Sequence, residues 1–307
     1  MHSEQDARVR ICHFSDLHLP LSSSVPPQRL LGKRLLGYGN IRFLRGKTHR
    51  QQPFENLLEH LVSEQSDFVV MTGDVSNLAL PFEFAEADRL FRQAGLRPEH
   101  TLVIPGNHDR YTMGADVGEA FEKHMARWLP DAFSRVDGYP IVKKVGPIAL
   151  MALDTAVWRT GIRDAGLVNA RQMERIADML SGDELRGYWP VVAMHHPPFR
   201  RREGFYKNFM SGLVGADRFT RAMTGRSATV LHGHVHALSR RRVEGLDVIG
   251  VPSASNDTGD PVRQLAYHVY TFTRNGLEKA ESVRYWPEDG EHGRFERVVI
   301  PESIQGE

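Results

Sequence analysis

The chain has 307 residues, 41% of them hydrophobic, which is enough for one large α/β domain or two small ones around a sizeable core. Its formal charge of +1 excludes a global field that would draw in nucleic acid, and its single cysteine, Cys12, excludes an intrachain disulfide. No apolar run approaches the roughly 18 residues of a spanning helix, and the polar residues 1–6 carry no apolar signal core, so a soluble, cytoplasmic chain is expected.

In chain order, residues 9–14 read as an apolar strand, with Cys12 as a small core residue. Residues 17–54 contain no acid; Arg29, Lys33, Arg34, Arg42, Arg45, Lys47 and Arg50 are interleaved there with Leu30, Leu31, Leu35, Leu36, Ile41, Phe43 and Leu44. The spacing of Phe54, Leu57, Leu58, Leu61 and Val62 predicts a helix over 53–65. A strand at 68–72 follows. Pro81 then opens a helix through Phe84, Ala87, Leu90 and Phe91, stopped by Gly95. A third strand is expected at 102–104. Strand alternating with helix implies parallel pairing and a covered sheet.

The second half reads differently. Strands 141–145 and 148–153 flank Gly146-Pro147. Strands 241–243 and 248–251 flank a four-residue connection, Glu244 to Asp247. Strands 266–274 and 277–283 flank Asn275-Gly276, a strong hairpin signal. Further strands are expected at 191–194 and 229–231. With no linker or repeat in view, one domain over 1–289 is expected, with an insert at about 21–52. An extension over 290–307 would hold one strand, 295–300.

Five motifs follow apolar runs: Asp16-Leu17-His18, Gly73-Asp74, Gly106-Asn107-His108-Asp109, His195-His196-Pro197-Pro198 and His232-Gly233-His234-Val235-His236. Ligands on the ends of adjacent strands can converge on one point. Carboxylate, amide and imidazole together suit Zn, Fe or Mn better than Ca or Mg, and there are enough of them for two ions. Gly73, Gly106 and Gly233 precede ligands and are expected to permit sharp turns. Taken alone, Asp16 or Asp74 would equally suit a helix N-cap, and His232 reads as a buried, hydrogen-bonded core residue.

The order D-x-H, G-D, G-N-H-D, H-H-P-P, G-H-x-H resembles the calcineurin-like metallophosphoesterase superfamily, in particular bacterial class III-type phosphodiesterases and pyrophosphohydrolases. The resemblance runs from Asp16 to His236 with no departure at a ligand position. It implies a four-layer α-β-β-α sandwich of two mixed sheets, with a dinuclear metal site at the strand ends. Carried over residue by residue, it makes Asp16, His18 and His236 ligands of one ion and Asn107, His195 and His234 ligands of the other, with Asp74 bridging. The ions would be two divalent or trivalent Mn, Fe or Zn. His108 would assist the leaving group, and Asp109 would stand beside it in the catalytic group as a supporting partner, as would His13.

The function implied is hydrolysis of a phosphodiester or pyrophosphate bond by hydroxide held between the metals. The alternatives are a phosphomonoesterase, protein phosphatases included, and a non-catalytic scaffold of the same fold. Arg200 and Arg201, just past the fourth motif, together with His196, are the expected substrate-binding residues. The expected partner is a phosphate ester: a nucleotide, a lipid-linked compound or another small diester. The basic-apolar insert also admits peripheral contact with an anionic membrane. Self-association is left open, and no specific nucleic-acid partner is expected. The run Arg240-Arg241-Arg242 reads as a solvated face or an interface, and the 256–260 loop has no assignment.

Overall fold

The computed structural model describes all residues except 1–6, 22–24, 31, 44–48, 132, 162, 200–203, 288–292 and 305–307, and only the backbone of 27, 40–43, 136 and 137. Two six-stranded sheets form its centre. The first has the order β14-β13-β12-β1-β2-β3. Here β1 is Val9–Phe14, β2 Phe68–Met71, β3 Thr101–Val103, β12 Ala266–Thr273, β13 Gly276–Trp286 and β14 Arg294–Val299. The second has the order β10-β11-β9-β7-β5-β4, where β4 is Ile141–Val145, β5 Ile148–Ala152, β7 Trp189–Met194, β9 Ala228–His232, β10 Ser239–Val243 and β11 Leu246–Gly250. Strands β1, β2 and β3 are parallel, as are β5, β7, β9 and β11; antiparallel hairpins complete both sheets, so each is mixed.

The layering follows from the two-residue period of the strands. In β5, Ile148, Leu150 and Ala152 join the core between the sheets, whereas Ala149 and Met151 face the opposite way. The outward residues pack with Met173 and Ile176 of helix α7 (Ala170–Ser181) and with Phe219 and Met223 of α9 (Ala216–Met223). The first sheet is covered by α2 (Gln51–Ser63) through Phe54, Leu57, Leu58 and Leu61, and by α3 (Pro81–Ala94) through Phe84, Ala87, Leu90 and Phe91. Helix, sheet, sheet, helix is the expected sandwich. Gly95 ends α3 in the left-handed region at φ 91°.

Two expectations about the second sheet change. The connection between β10 and β11 is two residues, Glu244 and Gly245, both at positive φ (52° and 88°), a tight turn whose twist matches its strands. Apolar Leu246 therefore belongs to the strand. Arg240 is not solvated: it is 8% exposed, grips Asp247 with Nε and Nη2 at 3.0 and 2.7 Å, and donates to the Ile300 carbonyl. The C-terminal stretch supplies β14 at one edge of the first sheet and then crosses to the second, where Ile304 and Arg240 exchange backbone hydrogen bonds.

Within the insert, α1 (Lys33–Phe43) lays its charges on backbone carbonyls. Arg34 donates to Leu78 and Ala79, and Lys33 to Arg159 and Arg163. Leu35 and Leu36 are exposed instead of packing on the sandwich. Among the described residues no helix is long and apolar enough to cross a membrane.

Candidate metal centre

All seven candidate ligands emerge past the C-terminal ends of parallel strands: Asp16 and His18 after β1, Asp74 after β2, Asn107 after β3, His195 after β7, and His234 and His236 after β9. The two sheets thus deliver their donors to one edge of the sandwich. Backbone bonds hold the loops together: Asp16 N–H donates to the Gly73 carbonyl and Leu17 N–H to that of Asp74, both at 2.9 Å.

The turns are strained at the candidate ligands themselves. Asp16, His18, Asp74, His234 and His236 all have positive φ, between 41° and 66°, a conformation that costs a non-glycine residue on the order of 1 kcal/mol and clusters at functional sites. Of the three glycines expected to relieve sharp turns, only Gly73 has positive φ (100°). Gly106 and Gly233 are required for space. A Cβ on Gly106 would lie 2.1 Å from Asp74 Oδ1, and one on Gly233 would lie 2.0 Å from Ser15 Oγ and 2.4 Å from Asp16 Oδ2.

The donors fall into two groups that share Asp74. In the first, His18 Nε2 lies 3.2 Å from Asp74 Oδ2 and 3.2 Å from His236 Nε2, while His236 Nε2 lies 3.1 Å from Asp16 Oδ1. One ligand atom from each of Asp16, His18, Asp74 and His236 fits within 4.8 Å of the others. In the second, His195 Nε2 lies 3.0 Å from Asn107 Oδ1 and 3.4 Å from Asp74 Oδ2, and His234 Nδ1 lies 3.0 Å from the same Asn107 oxygen.

Their outer contacts settle which ring nitrogens carry hydrogen. His195 Nδ1 faces the Thr72 carbonyl at 2.7 Å and must donate to it; His234 Nε2 does the same to the Ser211 carbonyl at 2.9 Å. In the neutral rings the inward nitrogens therefore carry lone pairs, and these point at oxygen lone pairs. Such a set of acceptors is relieved by a cation, and the donor types suit a transition-metal ion. The residues thus fit the group. Electrostatics agree: burial alone would raise the Asp74 carboxyl, but His195, His108 and His18 hold it well below the usual carboxylate range. Burial would lower His195, yet Asp74 and Asp16 outweigh it, and without a cation its imidazolium persists up to about 9.

His108 lies at the edge of this group. Its backbone N–H donates to Asp74 Oδ1 at 2.8 Å, its Nδ1–H to the Asn77 carbonyl at 2.7 Å, and its ring stacks on Tyr111 at 5.2 Å. Asp109 is fully buried; it accepts from the backbone N–H groups of Gly106, Val75 and Ser76 and from the Ser76 hydroxyl, clamping two ligand loops together. His196 is also fully buried, with Nδ1 on the Thr155 hydroxyl and Nε2 on the Asp164 carbonyl, and a ring nitrogen of it lies within 4.8 Å of ligand atoms of His195 and His234. His13 reaches the site only through the Thr72 hydroxyl, 2.9 Å away. His232 is buried with Nδ1 on the Gly233 carbonyl, as expected. Arg200 and Arg201 lie outside the described residues.

Several contributors have no motif. Glu83 of α3 accepts the N–H groups of Asn77, Leu78 and Leu80, and so presents the Asn77 carbonyl to His108. Ser253 and Ser255 donate to the carbonyls of Asp16 and Leu17. His49, from the insert, packs 5.6 Å from His18. The one usable signal for the serines was their place in the loop just past an apolar strand, β11.

A family model for calcineurin-like phosphoesterases matches residues 9–238. The chain belongs to that family. Among solved structures, this calcineurin-like chain is similar to a purple acid phosphatase from yellow lupin (Lupinus luteus) seeds, 14% identical, with 92% of this chain and 52% of that one covered at a TM-score of 0.58. It is also similar to a candidate 5'-nucleotidase from Staphylococcus aureus, 13% identical, with 97% and 55% covered at a TM-score of 0.49. The chain spans about half the length of either. No curated protein sequence matches it.

Proposed function

We propose that this calcineurin-like chain hydrolyses a phosphodiester or pyrophosphate bond at a two-ion centre. Asp16, His18 and His236 would hold one ion, Asn107, His195 and His234 the other, and Asp74 would lie between them. The observation that carries this reading is the convergence of potential ligand atoms, with the inward nitrogens of His195 and His234 facing the Asn107 oxygen at 3.0 Å. When bound, two such cations would lower the pKa of a shared water and take up charge on a phosphate.

The protein's own part is positioning and proton transfer. With Nδ1–H engaged by the Asn77 carbonyl, His108 is left with Nε2 as the atom that would pass a proton to the departing ester oxygen. Asp109 would support the Gly106–His108 turn without touching substrate, and His196 would brace His195 and His234 from behind. Arg200 and Arg201 remain our proposal for cations that meet the phosphate.

The surroundings support a substrate with two arms. On the His108 side stands Tyr111, with α1 against it through Lys33, whose ammonium lies 4.7 Å from the Tyr111 ring centroid. On the His234 side, α8 (Gly204–Ser211) gives its last carbonyl to His234 and exposes Phe205 and Phe209 beside a groove of about 490 Å³. A diester or pyrophosphate can use both flanks, a monoester only one. The test is a screen of the metal-loaded chain against diesters, pyrophosphates and monoesters. Faster turnover of diesters or pyrophosphates is expected; preference for monoesters would move the chain to the phosphomonoesterase reading, and no turnover with two ions bound would make it a scaffold.

A further inference from the structure

His49 stands near the end of the insert, a lone histidine between Thr48 and Arg50 with no motif around it. It is only 4% exposed. Its ring meets His18 at 5.6 Å and 86°, and His236 at 6.2 Å and 75°, edge to face with both imidazoles assigned above to the first ion. It is not among the four residues whose ligand atoms converge within 4.8 Å, so it is a neighbour of ligands.

Hydrogen-bond direction gives it a task. The Ser255 hydroxyl has one hydrogen and donates it to the Leu17 carbonyl. Toward His49 it must therefore accept, and His49 Nδ1, 2.7 Å away, is the donor. The chain of bonds runs from the insert through Ser255 to the residue between Asp16 and His18, the two ligands held at φ 56° and 41°. The backbone follows the same path: His49 bridges Asn256, and Arg50 N–H donates to the Ser255 carbonyl at 3.2 Å.

We propose that His49 is a positioning residue for the first ion's site: its donation to Ser255 orients the hydroxyl that holds the Asp16–His18 turn, and so couples the insert to metal affinity. The proposal rests on the two-ion reading above. Partners that orient metal ligands cost about 10–100-fold in affinity when removed. The test compares Co²⁺ binding, by calorimetry and visible absorption, in the full-length chain and three variants. His49→Phe keeps a ring but no donor; His49→Asn restores a donor near the same point; Ser255→Ala removes the relay. The first should weaken one of two Co²⁺ sites by about 10–100-fold and shift its absorption, the second should recover most of the loss, and the third should match the first. Equal affinities throughout, equal weakening of both sites, or failure of His49→Asn to recover would overturn the proposal. If His49→Phe does not fold, Ser255→Ala decides alone, and unchanged affinity there overturns it. A wild-type chain that takes up no Co²⁺ overturns the two-ion reading, and this inference with it.

Discussion

His108 and His195 are both imidazoles at one centre, yet their contacts assign them opposite tasks. His108 has Nδ1 tied to a carbonyl and its backbone tied to Asp74, so its position depends on the cluster while its ring stands at the edge. Replacing it with alanine is expected to leave both ions bound and to cut turnover by about 10²–10⁴-fold. The deficit should shrink for esters with good leaving groups, which depart without a proton; equal deficits for good and poor leaving groups would assign His108 to phosphate orientation. His195 is buried between Thr72, Asn107 and Asp74. Its folded pKa of about 9 lies above the unfolded value of 6.5, so in the metal-free chain its protonation stabilises the fold fully below 6.5 and is lost as pH rises through 9. A metal must displace that proton. Ion binding to the folded chain should therefore release a proton at pH values below about 9 and tighten as pH rises toward that value. Calorimetry at pH 7.5 in buffers of different ionisation enthalpy measures the release; a binding enthalpy independent of the buffer would remove His195 from the proposed ligand set.

At the scale of elements, what was legible in the sequence and what was not have separate physical causes. Short apolar runs such as Val9–Phe14 and the helical face of Phe84, Ala87, Leu90 and Phe91 announce themselves because burial selects their pattern. The His/Asp cluster that could hold a metal stands in recognisable motifs because ligand chemistry restricts residue type. His49, Ser253 and Ser255 were not legible, because their roles exist only where separate loops meet. Helices α7 and α9 fall in stretches to which the sequence assigned no element, their apolar stripes being as narrow as Met173–Ile176 and Phe219–Met223. Arg240 was misread for a related reason: its partner Asp247 sits across the two-residue turn, on β11. Because both charges are buried, Arg240→Ala should cost about 3–5 kcal/mol by leaving Asp247 unpaired, whereas replacing both by Met and Leu should restore much of that. Urea unfolding measures both; a loss under about 1 kcal/mol in the single variant would mean that water reaches Asp247.

For the whole molecule, the centre lies where two sheets meet, and each sheet supplies half of it. Asp16, His18, Asp74 and Asn107 leave the first sheet; His195, His234 and His236 leave the second. Direct bonds cross at this edge, among them His195 to the Thr72 carbonyl, His234 N–H to Asp16 Oδ2 at 3.0 Å and the Ser253 hydroxyl to the Asp16 carbonyl. Around them the backbone holds five strained ligand residues, and two carboxylates face one another through imidazoles. In the absence of ions this edge concentrates unfavourable terms, and binding removes them in the folded state only. Ions present at a thousand times their Kd should then add about 4 kcal/mol per site to stability. For a chain of this size that corresponds to a rise in Tm on the order of 10 °C. Chelation should lower the Tm by that amount, and Mn²⁺ or Zn²⁺ should restore it. Asp74→Ala, which removes the shared ligand, should bind neither ion tightly, so its Tm should be insensitive to chelator. If chelator leaves the wild-type Tm unchanged while elemental analysis shows two ions removed, the ions do not staple the sheets, and the edge is held by its hydrogen bonds, those of Ser253 and Ser255 to Asp16 and Leu17 among them.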